Sequence, residues 1–455
     1  MADREFDVVV IGAGPPGEVC AGRLAGGGLE VAIVEGHLVG GECSYYACMP
    51  SKALLRPAEA LAEVRRVPGA AQAVMGELDV QSVLDRRDEV IHDLDDSSQL
   101  PWLSDRGIEL FRGHGAIDGE RRVKVGDDVL VARKAVVVAT GSEATIPPIE
   151  GLKDAKPWDN RQATTSKRVP DSLVVLGGGP EGAEMAQAWR SFGTSVVLVE
   201  AMERLLPNEE PFAGDQVADA LRKGGVDVRT ETKASAVHGR DGAVTVELED
   251  GESVSGEELL VAIGRTARTS GIGLESVGIE VIRWLEVDDQ LRVGGSGWLY
   301  AIGDVNGRSL LTHMGKYQGR IAADHILGKE VAATADKRGS PRVTFTDPEV
   351  AAVGRTLAAA QEAGINARAV DVETSATAGA SFHGRNAPGT TRIVVDEDNR
   401  VIVGATFVGP ETSDFVHAAT IAVSADVSLD DLWHAVPAFP TRSEVWLKLL
   451  EKYGL

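Results

Sequence analysis

With 455 residues, 43% of them hydrophobic and 25% charged, the chain has the length of about three ordinary domains and the composition of a soluble globular protein. Its 46 Lys and Arg against 69 Asp and Glu leave a net charge of −23, which argues against nucleic acid and anionic membrane surfaces as partners, because both need a basic face. Three cysteines, Cys20, Cys43 and Cys48, are too few for a disulfide scaffold, and no stretch reaches the roughly 18 uninterrupted apolar residues of a bilayer span. A cytoplasmic protein with reduced thiols and no metal site is expected.

The N-terminus, MADREFDVVVIGAG, sets acids and an arginine before a short apolar run that ends in glycines, the pattern of a first β-strand rather than a signal peptide. Gly12, Gly14 and Gly17 follow that strand and open a helical stretch. In this context the first glycine permits the tight turn, the second lets backbone amides approach a pyrophosphate, and the third lets the helix pack on the sheet. The second strand, LEVAIVE, ends in Glu35, placed to accept hydrogen bonds from a ribose diol.

The next segment, GGECSYYACMPSKALLRP, places Cys43 and Cys48 at the entry to a helix. Residues five apart lie about one and a half turns apart on an ideal helix, so a bond between the two sulfurs requires distorted geometry there. A helix N-terminus favours the thiolate, and in a cytosolic chain such a pair reads as a redox couple. Cys20, inside the first helix, reads as a small core residue.

After ARKAVVVATGSEATIPPIEG, with a boundary near residue 150, the opening pattern recurs. SLVVLGGGPEG carries Gly177, Gly179 and Gly182, and TSVVLVE closes on Glu200. A carboxylate at Glu200 would bond a 2′-hydroxyl and repel a 2′-phosphate, so NAD is expected over NADP, with Arg204 close enough to offset part of the repulsion. ELLVAIGR then ends at Arg265, WLYAIGD ends at Asp304, and a helix is expected around Leu311 to Leu327. Beyond Arg338 to Pro341, strands such as RVTFT and TTRIVVD alternate with helices. The fold class is therefore α/β: two Rossmann-like dinucleotide-binding domains plus a C-terminal α+β domain at 342–455.

The ordered set of motifs resembles the flavoprotein disulfide reductases of the pyridine-nucleotide class, the family of dihydrolipoyl dehydrogenase, glutathione reductase and mercuric reductase. The resemblance spans nearly the whole chain, through the first glycine triplet and Glu35, Gly40 to Lys52, Ala139 to Ser142, the second triplet and Glu184, Ala262 to Arg265, Ala301 to Asp304, and Phe345 to Gly354. It implies FAD on residues 1–150 and 266–341, NAD on 151–265, and a homodimer interface at 342–455. It also implies a small-molecule or protein-bound electron acceptor. Cys48 would stand nearer the flavin as a charge-transfer partner, and Cys43 would exchange with substrate. Lys52 would contact the flavin with Glu184 as its ion-pair partner, and Asp304 would bond the ribityl chain. Gly41, Gly115, Ala116, Thr140 and Gly141 would complete the flavin site, Gly264 the nicotinamide site, and Glu444 the catalytic set.

Four departures stand out. The reductases carry a His-Pro-Thr segment whose histidine manages thiol protons, whereas this chain reads HAVPAFPTRSE, with Phe439 in that place and His434 five residues upstream. Glu42 precedes Cys43 and is expected to raise its thiol pKa. Tyr45 and Tyr46 fill the spacer and are expected to restrict access. Glu181 stands where a gate over the nicotinamide pocket usually lies. The leading expectation is electron flow from NADH through flavin and the Cys43–Cys48 pair to a disulfide or thiol-linked acceptor. The alternatives are a reductase of quinones, metal ions or dyes, a transhydrogenase, and a non-catalytic redox sensor.

Overall fold

The structure, a computed structural model, describes residues 3–240, 242–385 and 387–455. The chain forms two compact units. The first comprises the chain up to Pro50 with Asp88–Ala144 and Arg265–Lys337; the second comprises Ser51–Arg87, Thr145–Gly264 and Arg338–Leu455.

The first unit is built on a seven-stranded sheet in the order Glu109–Arg112, Val31–Glu35, Arg4–Ile11, Asp128–Val138, Arg122–Val125 and Gly115–Ile117, with Leu299–Ala301 also paired to Asp128–Val138. The strand Arg4–Ile11 has parallel neighbours on both sides. Elements covering both faces bury Val8, Val9, Val10 and Ile11, which is why its sequence is a continuous apolar run rather than an alternation. Helix α1 (Pro15–Gly26) starts on a proline whose fixed φ and missing N–H suit a first helical position. Cys20 lies in its buried face, and burial pushes that thiol up to about 12, leaving it inert at neutral pH. The core reading of Cys20 holds.

In the second unit a four-stranded parallel sheet runs Asp227–Arg229, Ser195–Val199, Ser172–Leu176 and Glu258–Val261, next to a three-stranded antiparallel sheet. Residues 338–455 of the same unit form a five-stranded antiparallel sheet of Arg342–Thr344, Glu349–Gly354, Val401–Gly409, Thr390–Asp396 and Ala367–Glu373. The helices Val416–Ser424 and Val445–Tyr453 close a core around Ile393, Val395, Phe407 and Leu449. Two sheets with parallel strands entering glycine turns, the first of them also carrying antiparallel edge strands, and a C-terminal α+β portion are the architecture the sequence implied. No helix among the described residues is long and apolar enough to cross a membrane.

Candidate active site

Both glycine turns are forced by close packing. Gly12 holds φ +107°, and a Cβ there would lie 2.3 Å from the Ala139 carbonyl oxygen; Gly177 holds φ +106° with the Ala262 oxygen at 2.4 Å. At Gly17 and Gly182 a Cβ would fall 2.0 and 1.9 Å from the carbonyl oxygens of Gly12 and Gly177, so each helix sits directly on its own turn. The middle glycines differ in kind. Gly179 has nothing within 4 Å of a notional Cβ, and Gly14 meets only Pro16 and the bare Cα of Gly41. Both are bare backbone at a helix N-terminus, the cradle a pyrophosphate fills.

The two strand-ending carboxylates repeat the same hydrogen bonds. Glu35 accepts the Ala13 N–H at Oε2 (2.7 Å) and the His37 N–H at Oε1 (2.7 Å). Glu200 accepts the Gly178 N–H at Oε2 (2.6 Å) and the Met202 N–H at Oε1 (2.7 Å). Each oxygen retains a lone pair for a ribose hydroxyl. Arg204, expected to soften Glu200, turns to Glu203 at 3.9 Å.

The remaining predicted flavin-site residues of the first unit gather around the same turn. Gly41 (φ +61°) abuts Gly14, where a Cβ would lie 2.8 Å from the Gly14 Cα. Gly115, followed by Ala116, opens a strand against Ile11 and Val34. Thr140 donates to the Arg268 carbonyl (2.7 Å), and the Gly141 carbonyl accepts the Arg268 N–H (3.0 Å). Asp304 accepts from Ser142 Oγ at 2.6 Å, while Arg265 Nε donates to the same hydroxyl at 2.7 Å. Burial pushes the Asp304 carboxyl upward, and Ser142 and Arg265 oppose that shift. Gly264 (φ +136°), in the second unit, accepts the Thr145 N–H. Ser142 and Arg265 entered the sequence reading only as the ends of matched motifs, and Arg268 not at all; strand pairing of Ser142–Ala144 with Arg265–Ala267 brings the three together.

The cysteines lie on two helices rather than one. Cys43 belongs to α2 (Gly41–Tyr45) and Cys48 opens α3 (Cys48–Arg66), with the break at Tyr46–Ala47 supplying the distortion that a five-residue separation demands. Both cysteines are half-buried. Cys43 hydrogen-bonds to Cys48 and to Thr312, and the Thr312 hydroxyl lies 3.2 Å from Cys48 Sγ. The bond with Cys48, then burial, pushes the Cys43 thiol well above its ordinary value, whereas Thr312 and the Lys316 ammonium pull it down.

Two expectations are corrected here. The Cys43 thiol is raised, as expected, but Cys48 and burial rather than Glu42 lead the rise, and the Glu42 carboxylate lies 3.5 Å from Arg268. Tyr45 and Tyr46, 1% and 8% exposed, turn inward onto Ile91, Leu38 and Leu94, so they build a small core instead of a screen over the thiols. Tyr46 is held there by a 2.9 Å bond to His37 Nε2.

Further along α3, Lys52 lies in the second unit. Its Nζ is 2.7 Å from Glu184 Oε2 and 4.7 Å from the Phe345 ring centroid. Glu184 is buried at 4% exposure, and its other oxygen accepts the Phe345 N–H at 2.9 Å. Near the C-terminus, Phe439 is 75% exposed and His434 is also exposed. Glu444 follows on a short turn, and its Oε2 is buried without a hydrogen-bond partner among the described residues.

Two dinucleotide turns with a thiol pair directly after the first define a nucleotide-dependent redox enzyme. Comparison with known proteins specifies it. Residues 6–319 match the model of the pyridine nucleotide-disulphide oxidoreductase family, and residues 340–450 match its dimerisation domain. Dihydrolipoyl dehydrogenase of Thermus scotoductus is 33% identical over 98% of this chain and 97% of its own, and that of Mycobacterium tuberculosis is 32% identical over 96% of each. The flavoprotein disulfide reductase RclA from Escherichia coli, solved as a Cu(II) complex, superposes with a TM-score of 0.86 at 26% identity over 98% of this chain and 99% of its own. LpdA from Mycobacterium tuberculosis gives a TM-score of 0.86 at 26% identity over 99% and 100%. The chain belongs to the pyridine nucleotide-disulphide oxidoreductase family. It is an FAD-dependent NAD(P)H oxidoreductase, which sets aside the sensor reading.

Proposed function

We propose that the protein exchanges electrons between NADH and a disulfide or thiol-linked acceptor through FAD and the Cys43–Cys48 couple. The observation that supports this most directly is the hydrogen-bonded group of Cys43, Cys48 and Thr312 at the start of two helices. The curated relatives, named dihydrolipoyl dehydrogenases, favour a dithiol substrate of that kind.

The residues present fit the cofactors. In the first unit Gly12, Gly14, Gly17 and Gly41 would seat the FAD pyrophosphate, Glu35 its ribose, Gly115 and Ala116 the adenosine end, and Thr140, Gly141 and Asp304 the flavin end. Gly177, Gly179, Gly182, Glu200 and Gly264 would seat NAD, the Glu200 carboxylate disfavouring a 2′-phosphate. FAD, when bound, supplies the two-electron exchange between nicotinamide and dithiol. Lys52, ion-paired with Glu184, would belong to the catalytic set. Cys48 would face the flavin, and Cys43 would carry the exchange with substrate. Residues 342–455 would form the interface of a homodimer, with Glu444 in its catalytic set.

Anaerobic addition of NADH to the holoenzyme should expose two alkylatable thiols per chain, at Cys43 and Cys48. The reading is overturned if Cys43→Ser and Cys48→Ser both keep full turnover with disulfide acceptors.

A second reading, reduction of a metal ion, draws on one feature of this chain and one of a neighbour. Phe439 presents a ring with no proton to exchange where a dithiol enzyme needs an imidazole, and the RclA structure is a Cu(II) complex. Phe439→His separates the two: a large rise in lipoamide turnover supports the disulfide reading, and an unchanged rate with strong Cu(II) reduction supports the metal one.

A further inference from the structure

Within the second unit, the segment after Glu200 runs from the second glycine turn to the part of the chain that matches the dimerisation domain. Its hydrogen bonds form an unbroken line. Gly178 donates its N–H to Glu200 Oε2 (2.6 Å), and the Gly178 carbonyl accepts the Leu206 N–H (2.9 Å). The Leu206 carbonyl in turn accepts the Glu209 N–H (2.9 Å). The Glu209 carboxylate then accepts two N–H groups of the Arg342 guanidinium, at 2.5 and 2.8 Å. Glu210 adds a second foothold, its two oxygens accepting the Leu357 N–H and Arg392 Nη1, each at 2.8 Å.

Three features make this line a constraint. Leu206 holds φ +48°, a left-handed conformation that a leucine keeps only where its surroundings over-determine it. The segment is pressed onto the glycine turn, because Leu205 is fully buried and a Cβ at Gly178 would lie 2.3 Å from Leu205 Cδ2. Glu209 is itself buried, and a forked arginine pair fixes the direction of its carboxylate as well as its distance.

We propose that Arg342 is a positioning residue for the dinucleotide. By gripping Glu209 it holds Leu206 in its left-handed conformation beside the Gly178 carbonyl, and so keeps Gly178 and Glu200 in the form that accepts the adenosine ribose. The inference rests on the reading of Gly177 to Glu200 as the NAD seat. Arg342 acts through the line of hydrogen bonds and not on the nucleotide itself. A residue of the dimerisation segment thereby sets cofactor affinity, and its effect is confined to the adenosine half, the half whose ribose a strand-ending acid binds.

The test measures oxidation of NADH by the FAD-loaded holoenzyme with ferricyanide as acceptor, so that the outcome does not depend on the dithiol reading. Arg342→Met is combined with Glu209→Gln so that no buried charge is stranded. The KM for NADH is expected to rise at least about fivefold, the low end of couplings between separate sites, with kcat unchanged. With reduced nicotinamide mononucleotide, which has no adenosine half, kcat/KM should stay at the wild-type value. An unchanged KM for NADH overturns the proposal, as does an equal loss of kcat/KM with both nucleotides, the mark of a general structural defect. Gly177→Ala in the same assay separates this inference from the reading beneath it. A raised KM there, with wild-type behaviour in the paired variant, overturns the positioning role alone; an unchanged KM there overturns the NAD seat and the positioning role with it. Should the paired variant fail to retain FAD, hydrogen exchange on the wild-type holoenzyme decides the matter. Because coupling is reciprocal, ADP-ribose must slow exchange in the peptide carrying Glu209 as well as in that carrying Gly178. Protection that stops at Gly178 overturns the proposal.

Discussion

The Thr312 hydroxyl lies 3.2 Å from Cys48 Sγ and also hydrogen-bonds Cys43, so a single side chain touches both members of the couple. A hydroxyl that donates to a thiolate is a charge-assisted bond, worth roughly 1.5–3 kcal/mol, or about tenfold or more in an equilibrium. Thr312→Val preserves the β-branched shape and removes only that donor. Turnover with a disulfide acceptor should fall by about tenfold at pH 7, and the loss should shrink at high pH, where the thiolate forms unaided. Steady-state rates across pH check this; a pH-independent loss would point to a packing defect instead.

The glycine turns separate the two nucleotide sites experimentally. Gly12→Ala would drive a methyl group to 2.3 Å from the Ala139 oxygen, and Gly177→Ala to 2.4 Å from the Ala262 oxygen. Both also force an L side chain to a positive φ. Gly12→Ala should purify without FAD, as judged by its visible spectrum. Gly177→Ala should keep its FAD while the KM for NADH rises by more than about tenfold, a loss of more than about 1.4 kcal/mol of binding.

These turns were legible in the sequence because their chemistry is local: strand, glycine spacing and terminal acid lie within one short segment. Even the duplication reaches the atoms, since Glu35 and Glu200 accept N–H groups at equivalent offsets. The rest was not local. Thr312 lies 264 residues from Cys48 in sequence and meets it only because glycines let its helix sit down on α1. Glu42 and the two tyrosines were misread for the same reason. Their position beside Cys43 implied influence on it, but Arg268 and a small apolar core, contributed by distant strands and turns, decide where those side chains point.

The Lys52–Glu184 pair should behave as a coupled unit. Glu184 is 4% exposed, and in Lys52→Met it would retain, among the described residues, the Phe345 N–H as its hydrogen-bond partner. Stranding a buried carboxylate costs about 3–5 kcal/mol, less here because Lys52 keeps some contact with solvent. Lys52→Met should therefore lower Tm clearly, and Lys52→Met with Glu184→Gln should recover part of the loss. Thermal unfolding of the holoenzyme and both variants checks the order, which additive effects would not produce.

Glu349 is a buried carboxyl with a stability signature in pH. Burial lifts it to about 7, with Glu59 and Asp414 adding to the rise and the Ser413 N–H, at 2.8 Å, opposing it. Because the folded value lies above the unfolded one, the group's contribution to stability is complete below about pH 4.5 and is lost as pH rises toward 7. Glu349→Gln keeps an acceptor for Ser413 and cannot ionise. It should leave Tm unchanged near pH 4.5 and raise it at pH 8, by the equivalent of up to about 3 kcal/mol at 1.36 kcal/mol per pKa unit. A Tm difference that stays constant across this range would mean that the carboxyl is not titrating in the folded protein.

On the proposed reading Glu200 would carry the choice of nucleotide, and its geometry makes the expected outcome of removing it specific. The carboxylate ties the turn through the Gly178 and Met202 N–H groups, and it would also set a negative charge where a 2′-phosphate is expected to lie. Glu200→Gln retains an acceptor for one of these N–H groups and abolishes the charge. NADH binding should weaken severalfold as the turn loosens, while NADPH loses an electrostatic opponent. Arg204, 3.9 Å from Glu203, is then the nearest cation in sequence to the site. The ratio of kcat/KM for NADH over NADPH should therefore fall by about tenfold or more, equivalent to about 1.4 kcal/mol. Adding Glu203→Gln should release Arg204 and lower the ratio further. An unchanged ratio in Glu200→Gln would place nucleotide discrimination elsewhere in the second unit.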